Sequence, residues 1–208
     1  MHMDGDNMKH CLLVGKPNVG KTSFFLNFAS YLGVYKCELN FKDVEGRIIH
    51  KEYSIELAKK YLISQTPFKT KDICEINLSI PIYKGFQSFK LLDSSGLIDG
   101  ISDNEDIRSS MTATIKALEE TNIILHVIDA SSIFLREINS ISLIDDQINR
   151  YCKSKSSYCI LSNKMDLEGS KKGYELLKNK YYDSYIIPIS SVSGMGFKEV
   201  RMFVGRNL

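Results

Sequence analysis

The sequence contains no tryptophan, few prolines and few histidines, and no excess of charge of either sign. Its 27 basic and 25 acidic residues leave a net +2, which excludes a strong non-specific attraction to nucleic acid and leaves room only for local patches. No apolar run approaches a membrane span, and no charged-then-apolar leader for secretion is visible. The five cysteines (Cys11, Cys37, Cys74, Cys152 and Cys159) are odd in number and nowhere spaced C-x-x-C. Neither a disulfide framework nor a zinc site is expected from them, and a reduced, cytoplasmic setting is the reading. His126 lies inside an apolar run and is expected to be a strand residue with a satisfied ring. Residues 1–7 show no periodicity and read as an appended or frayed terminus, with Met8 the natural start.

What is present is an alternation of apolar runs with amphipathic stretches from Met8 onward, the pattern of an α/β domain with a mostly parallel sheet. At 208 residues, 43% of them apolar, the chain suffices for one domain with a sizeable core. Strands are expected over His10–Val14, Ile73–Tyr83, Phe86–Leu92, Ile123–Ile128, Tyr158–Leu161 and Tyr185–Ile189. The second and third of these form a hairpin around Lys84-Gly85, with Pro81 on an edge because it cannot donate to a ladder. Helices are expected over Lys21–Tyr31, ended by Gly33, then along Ile107 to Leu118, Ile141 to Tyr151, Gly173–Tyr181 and Phe197–Val204. Residues 34–66 lack strict periodicity and read as a long, partly ordered loop with a short helix near 55–62.

Four motifs stand on this scaffold. Gly15-Lys16-Pro17-Asn18-Val19-Gly20-Lys21-Thr22 follows the first strand and opens the first helix, matching G-x-x-x-x-G-K-[ST]. Consecutive loop N–H groups and the helix N-terminus make an anion cradle, so Asn18, Val19, Gly20, Lys21, Thr22 and Ser23 are the phosphate-binding candidates. Lys21 would neutralise β- and γ-phosphates, and the Thr22 hydroxyl would ligate Mg²⁺. Asp93-Ser94-Ser95-Gly96 ends the hairpin's second strand, where Asp93 would hold Mg²⁺ through water and the Gly96 N–H would sense the γ-phosphate. Asn163-Lys164-Met165-Asp166 follows the next-to-last strand. A carboxylate accepts and never donates, so Asp166 pairs with the N1–H and 2-amino groups of guanine and has no partner on adenine. Lys164 would cover the base and Asn163 would tie this loop to the phosphate loop. After the last strand, backbone N–H groups of Ser190, Ser191 and Val192 would reach the guanine carbonyl. An ordinary glycine turn, an Asx cap and two polar turns are the plainer readings of the same four segments.

In that order, the four boxes resemble those of the translation-factor-related GTPases, and most of all the Era/TrmE/ferrous-iron-transporter group, whose phosphate loop often reads G-x-P-N-V-G-K-[ST]. The resemblance spans residues 8–208. It implies a three-layer P-loop NTPase, a Ras-like G domain whose six-stranded sheet is parallel except for one strand, here with a long insertion before the first switch. It further implies GTP and GDP as ligands, Mg²⁺ as cofactor, and hydrolysis that is slow without a partner or potassium. Thr70-Lys71-Asp72 resembles that group's T-R-D, which would make Thr70 the switch threonine closing on Mg²⁺ and the γ-phosphate, with Thr66 as fallback and a solvent-exposed loop threonine as the plainer reading. The implied partner is a protein effector or activator, ribosome- or RNA-linked or a transporter, acting on a monomer or a nucleotide-dependent dimer.

Two departures matter. Ser94-Ser95 stands where that group has threonine-proline, so a more mobile turn is expected. Leu97 occupies the position of a water-orienting glutamine and cannot align water. Catalysis would then draw on Lys21, Thr70, Gly96 and Glu105, the last as a water-positioning carboxylate, with Asn18 as a potassium ligand. A guanine-nucleotide-binding module with negligible hydrolysis is the alternative, and an ATP-dependent kinase or ATPase is opposed by Asn163–Asp166.

Overall fold

The computed structural model describes residues 8–42, 48–62, 73–82, 85–100, 102–136, 141–155 and 157–208. The expectations for residues 1–7, Thr66 and Thr70 lie outside these residues.

The first strand, β1 (Lys9–Val14), is apolar and buried at its C-terminal end, and α1 (Lys21–Tyr31) follows after one loop. Gly33, at φ 86, ends that helix in the left-handed region that a glycine enters without strain. The next elements are β2 (Lys36–Lys42), β3 (Ile48–Ser54) and α2 (Ile55–Leu62), then β4 (Cys74–Ile82) and β5 (Gly85–Asp93). After these come α3 (Glu105–Glu120), β6 (Ile123–Asp129), α4 (Ala130–Arg136), α5 (Leu143–Cys152) and β7 (Tyr158–Asn163). The chain ends in α6 (Ser170–Lys180), β8 (Ile186–Pro188) and α7 (Phe197–Asn207).

Six strands form one sheet in the order β4-β5-β1-β6-β7-β8. All neighbours are parallel except β4, which runs antiparallel to β5. Interior strands are buried on both faces, which is why β6 and β7 read as near-continuous apolar runs. Strand β4 alternates instead, with Ile76, Leu78 and Ile80 buried and Pro81 exposed on the sheet edge, where a missing donor is harmless.

Alternation along β1 splits the core in two. Cys11 and Leu13 face a cluster with Phe24, Phe25 and Phe28 of α1 and with Val200 and Val204 of α7. Leu12 and Val14 face the other cluster, with Leu118 of α3, Ile148 of α5 and Leu177 of α6. Phe24 stacks on Phe28 at 4.9 Å, and Phe197 meets both edge-on at 5.3 and 5.5 Å, so α1 and α7 are welded by aromatic contacts. His126 is fully buried, its Nδ1 3.0 Å from Tyr158 Oη and its Nε2 3.0 Å from Asp145 Oδ1. Its ring is satisfied, as expected.

Three expectations need correcting. Between 34 and 62 the described residues hold an antiparallel pair, β2 with β3, where a partly ordered loop is expected, and the short helix expected near 55–62 is α2. Cys37, Ile55 and Ala58 are buried in the first core cluster, and the Ile55 N–H donates to Tyr35 O at 2.9 Å. The pairing of β2 with β3 is a contact that leaves no strict period in the sequence. Helix α4 was not anticipated, because seven residues are too few to display a helical period. Helix α6 begins at Ser170 rather than Gly173. Gly173 is an interior contact: a Cβ there would sit 1.9 Å from Ala130 O, so its smallness lets α6 lie against the start of α4.

Candidate functional site

The parallel strands β1, β5, β6, β7 and β8 all release their C-terminal loops at one edge of the sheet, where α/β folds place their ligands. Segments 15–20, 93–97, 163–166 and 190–194, far apart in sequence, are joined there by hydrogen bonds.

In the first segment Gly15 and Gly20 have φ values of 144 and 99. A Cβ on Gly15 would lie 2.3 Å from Val127 O, and one on Gly20 would lie 2.3 Å from Asn163 Nδ2. Both glycines are demanded by close approach as well as by backbone angle. Lys21 folds back over the loop, donating from Nζ to Gly15 O at 3.1 Å and Lys16 O at 2.8 Å. Burial of this ammonium pulls its pKa down to about 8, against the opposing pull of Asp93 and Asp145. Asn18 is exposed at the apex with φ 61.

Thr22 Oγ1 donates to Asp93 Oδ2 at 2.7 Å. Asp93 is fully buried, and its Oδ1 has no hydrogen-bond partner among the described residues. Desolvation pushes its pKa up to about 6 despite the Thr22 bond and the nearby Lys21 charge. A buried carboxylate oxygen without a donor, beside a hydroxyl and at the mouth of an anion cradle, is the chemistry of a hard-cation site. The residues present therefore fit Mg²⁺. Among the described residues no cluster of three or more His, Cys, Asp or Glu could by itself hold a metal ion.

The two serines after Asp93 are anchored where a mobile turn is expected. Ser94 Oγ donates to Leu13 O at 2.7 Å, and Ser95 Oγ lies 3.1 Å from both Ser110 O and Thr114 Oγ1 of α3. Gly96 rests on the first loop so closely that a Cβ would be 2.4 Å from Pro17 N. Leu97 turns inward: it is 2% exposed, belongs to the second core cluster, and its N–H donates to Gly15 O at 3.1 Å. Glu105 stands exposed in the first turn of α3, behind the N-cap Asn104. Among the described residues no hydrogen bond or ion pair brings it to the four loops.

Asn163 bridges two loops with one amide. Its Nδ2 donates to Val19 O at 2.8 Å, and its Oδ1 accepts from Ser191 N at 2.9 Å and Ser191 Oγ at 3.0 Å. Lys164, at φ 67, pairs through Nζ with Asp129 Oδ2 at 2.6 Å. Asp166 Oδ1 accepts from Ser190 Oγ at 2.6 Å. In the last loop the N–H groups of Ser190, Ser191, Ser193 and Gly194 are all occupied within the protein. That of Val192, whose side chain is 76% exposed, has no acceptor among the described residues.

Two contributors escape a linear reading. Asp129, which holds Lys164 and also accepts from Ser131 N at 3.0 Å, shows one usable signal, an acidic residue closing a buried strand as Asp93 does. Asn27 on α1 donates to Ser191 O at 2.9 Å, and no local pattern links residues that far apart.

Residues 49–164 match a family model described as 50S ribosome-binding GTPase. GTPase Obg of Caldicellulosiruptor saccharolyticus is 27% identical over 195 residues, covering 90% of this chain and 37% of the relative. The chain thus spans little more than a third of that relative's length. Among solved structures, an Aquifex aeolicus Era variant bound to GDP and AlF₄⁻ superposes with a TM-score of 0.68 at 20% identity, covering 97% of this chain and 57% of the other. The G domain of the T. maritima FeoB iron transporter gives 0.54 at 20% identity, covering 97% and 99%. At these identities the two structures are similar to the chain in fold. Among the described residues no helix is long and apolar enough to cross a membrane.

Proposed function

The chain belongs to the family of 50S ribosome-binding GTPases, and from that premise we propose a guanine-nucleotide-dependent switch that binds GTP with Mg²⁺ and hydrolyses it to GDP and phosphate. The observation that carries this reading is Asn163, whose single amide holds Val19 of the phosphate loop and Ser191 of the last loop together. That link supports reading the phosphate cradle and the Asp166 carboxylate as parts of one site.

Each residue's role follows from its chemistry. The N–H groups from Asn18 to Ser23, running into the α1 N-terminus, receive the phosphates. Lys21, already stripped of water, exchanges its two carbonyl acceptors for β- and γ-phosphate oxygens at little further desolvation cost. Thr22, Asp93 and, on sequence grounds, Thr70 would hold Mg²⁺. Bound there, the ion would supply neutralisation of the triphosphate's charge. Asp166, oriented by Ser190, accepts from guanine N1–H and the 2-amino group, and Lys164 lays its stem over the base. The Val192 N–H donates to the guanine carbonyl. Gly96, seated on Pro17, is where the γ-phosphate is sensed. By the family's description, a ribosomal partner is the proposed effector.

Burial of Leu97 favours a second reading, a module that signals by occupancy and scarcely hydrolyses. That position offers no polar group to a water molecule. Asn18 supplies one amide oxygen, and one oxygen is not a cation site, so potassium enters as a variable of the experiment. Nucleotide affinities and single-turnover hydrolysis, in sodium and in potassium, test both readings. Tighter binding of ATP than of GTP would overturn the guanine assignment. GTP that binds yet stays intact over hours in either salt, and with ribosomal particles added, would leave the occupancy reading standing.

A further inference from the structure

We propose that Asn27, on α1, is a positioning residue for guanine recognition, acting on the base through the Ser191–Val192 peptide without touching the nucleotide. The proposal rests on the guanine-nucleotide reading above. Ser191 is grasped from three sides: its N–H and hydroxyl go to Asn163 Oδ1, its hydroxyl also lies 3.5 Å from Gly20 O, and its carbonyl accepts from Asn27 Nδ2 at 2.9 Å.

The third contact differs from the others in what it controls. The Ser191 carbonyl and the Val192 N–H belong to the same peptide group. That group is planar and trans, so its C=O and N–H point in opposite directions. Holding the carbonyl toward α1 therefore aims the Val192 N–H away from α1. This N–H is the one in the 190–194 turn left without an acceptor among the described residues, and Val192's exposed side chain cannot pin the peptide by packing. The bonds from Asn163 act on the preceding peptide, and those of the Ser193 and Gly194 N–H groups to Ser190 on the peptides that follow, so Asn27 is the group that bonds this peptide directly. Asn27 is itself steadied by Ser23 Oγ, 3.4 Å from the same Nδ2 and one residue beyond Thr22. One helix thus carries the phosphate and metal ligands at its start and, one turn later, the group that aims the base-reading donor.

The test compares the full chain with Asn27→Ala and with Asn27→Leu, which keeps the bulk and removes the donor. Three probes are titrated: GDP, inosine diphosphate, which retains the carbonyl read by Val192, and 2-aminopurine riboside diphosphate, which lacks it. Both variants are expected to weaken GDP and inosine diphosphate about five- to tenfold, the span of one hydrogen bond. Affinity for 2-aminopurine riboside diphosphate is expected to change less than about twofold. Equal losses for all three probes would make Asn27 a structural tie and overturn the proposal, as would no loss for any. If the unsubstituted chain binds GDP no better than ADP, the guanine reading falls and carries this proposal with it. A guanine-selective chain with indifferent Asn27 variants refutes this proposal alone.

Discussion

Replacing Asp93 by asparagine is expected to make the nucleotide-free, metal-free protein less sensitive to pH while weakening its Mg²⁺·GTP binding. The carboxylate is fully buried, and desolvation lifts its pKa from 3.8 to about 6. A raised folded-state value means the folded chain holds the proton more tightly than the unfolded one. The resulting stability is complete below about pH 3.8 and is lost as pH rises through about 6. With those two values, linkage gives a loss of about 2 kcal/mol between about pH 4.5 and pH 7, and a full penalty near 3 kcal/mol at neutrality. Asparagine cannot ionise, so this component of the pH slope disappears. It still accepts from Thr22, but two effects offset the gain at pH 7. Its amide protons need acceptors in a buried place, and Lys21 loses the carboxylate that raises its own pKa. Urea unfolding at several pH values, on protein stripped of nucleotide and metal, reads the difference between the two chains. Parallel pH profiles for the two chains would refute the reasoning. So would Mg²⁺-dependent GTP affinity that survives the substitution.

Asp166→Asn should lose GTP and gain xanthosine triphosphate, because the amide can donate to the extra carbonyl; unchanged guanine preference in a competition titration would remove Asp166 from base reading. Gly15→Ala should destabilise by about 3 kcal/mol or more, since a Cβ meets Val127 O at 2.3 Å on top of the backbone strain at φ +144. Gly33→Ala, also left-handed but with nothing within 4 Å, should cost only about 1 kcal/mol, and denaturant unfolding of the pair separates clash from backbone strain. Lys155→Ala should remove about 1 kcal/mol, because Nζ donates to Leu118 O at 2.7 Å and Glu119 O at 3.1 Å, closing the carbonyl end of α3; faster amide exchange in the last turn of α3 would register it.

Much of the sheet was legible because strands buried on both faces announce themselves. Ile123–Ile128 and Tyr158–Leu161 appear as apolar runs, broken only by His126, and β4 betrays its edge position by alternation and by Pro81. Helix α1 was legible from the motif before it and from Gly33 after it. In the insertion, α2 was legible from its helical spacing, but the β2–β3 pair was not, because those strands pair with each other and leave no strict alternation in the chain. The partners of the turn after Asp93 were not legible either: Ser94 and Ser95 find acceptors in β1 and α3 that only the fold brings near.

The chemistry of the site was determined by the sequence itself. A carboxylate in Asn163–Asp166, an ammonium at Lys21 and glycines at 15 and 20 have those properties wherever the chain places them, and their order along it suffices to suggest a guanine nucleotide. Orientation was decided by the tertiary structure. The orphaned Asp93 oxygen, the inward Leu97 and the Asn27 bond to Ser191 exist only once separated segments pack together. The physical reason is range. Ionic and hydrogen-bonding capacity is a property of a residue, whereas desolvation and aim belong to its neighbours, and here those neighbours come from other strands and helices.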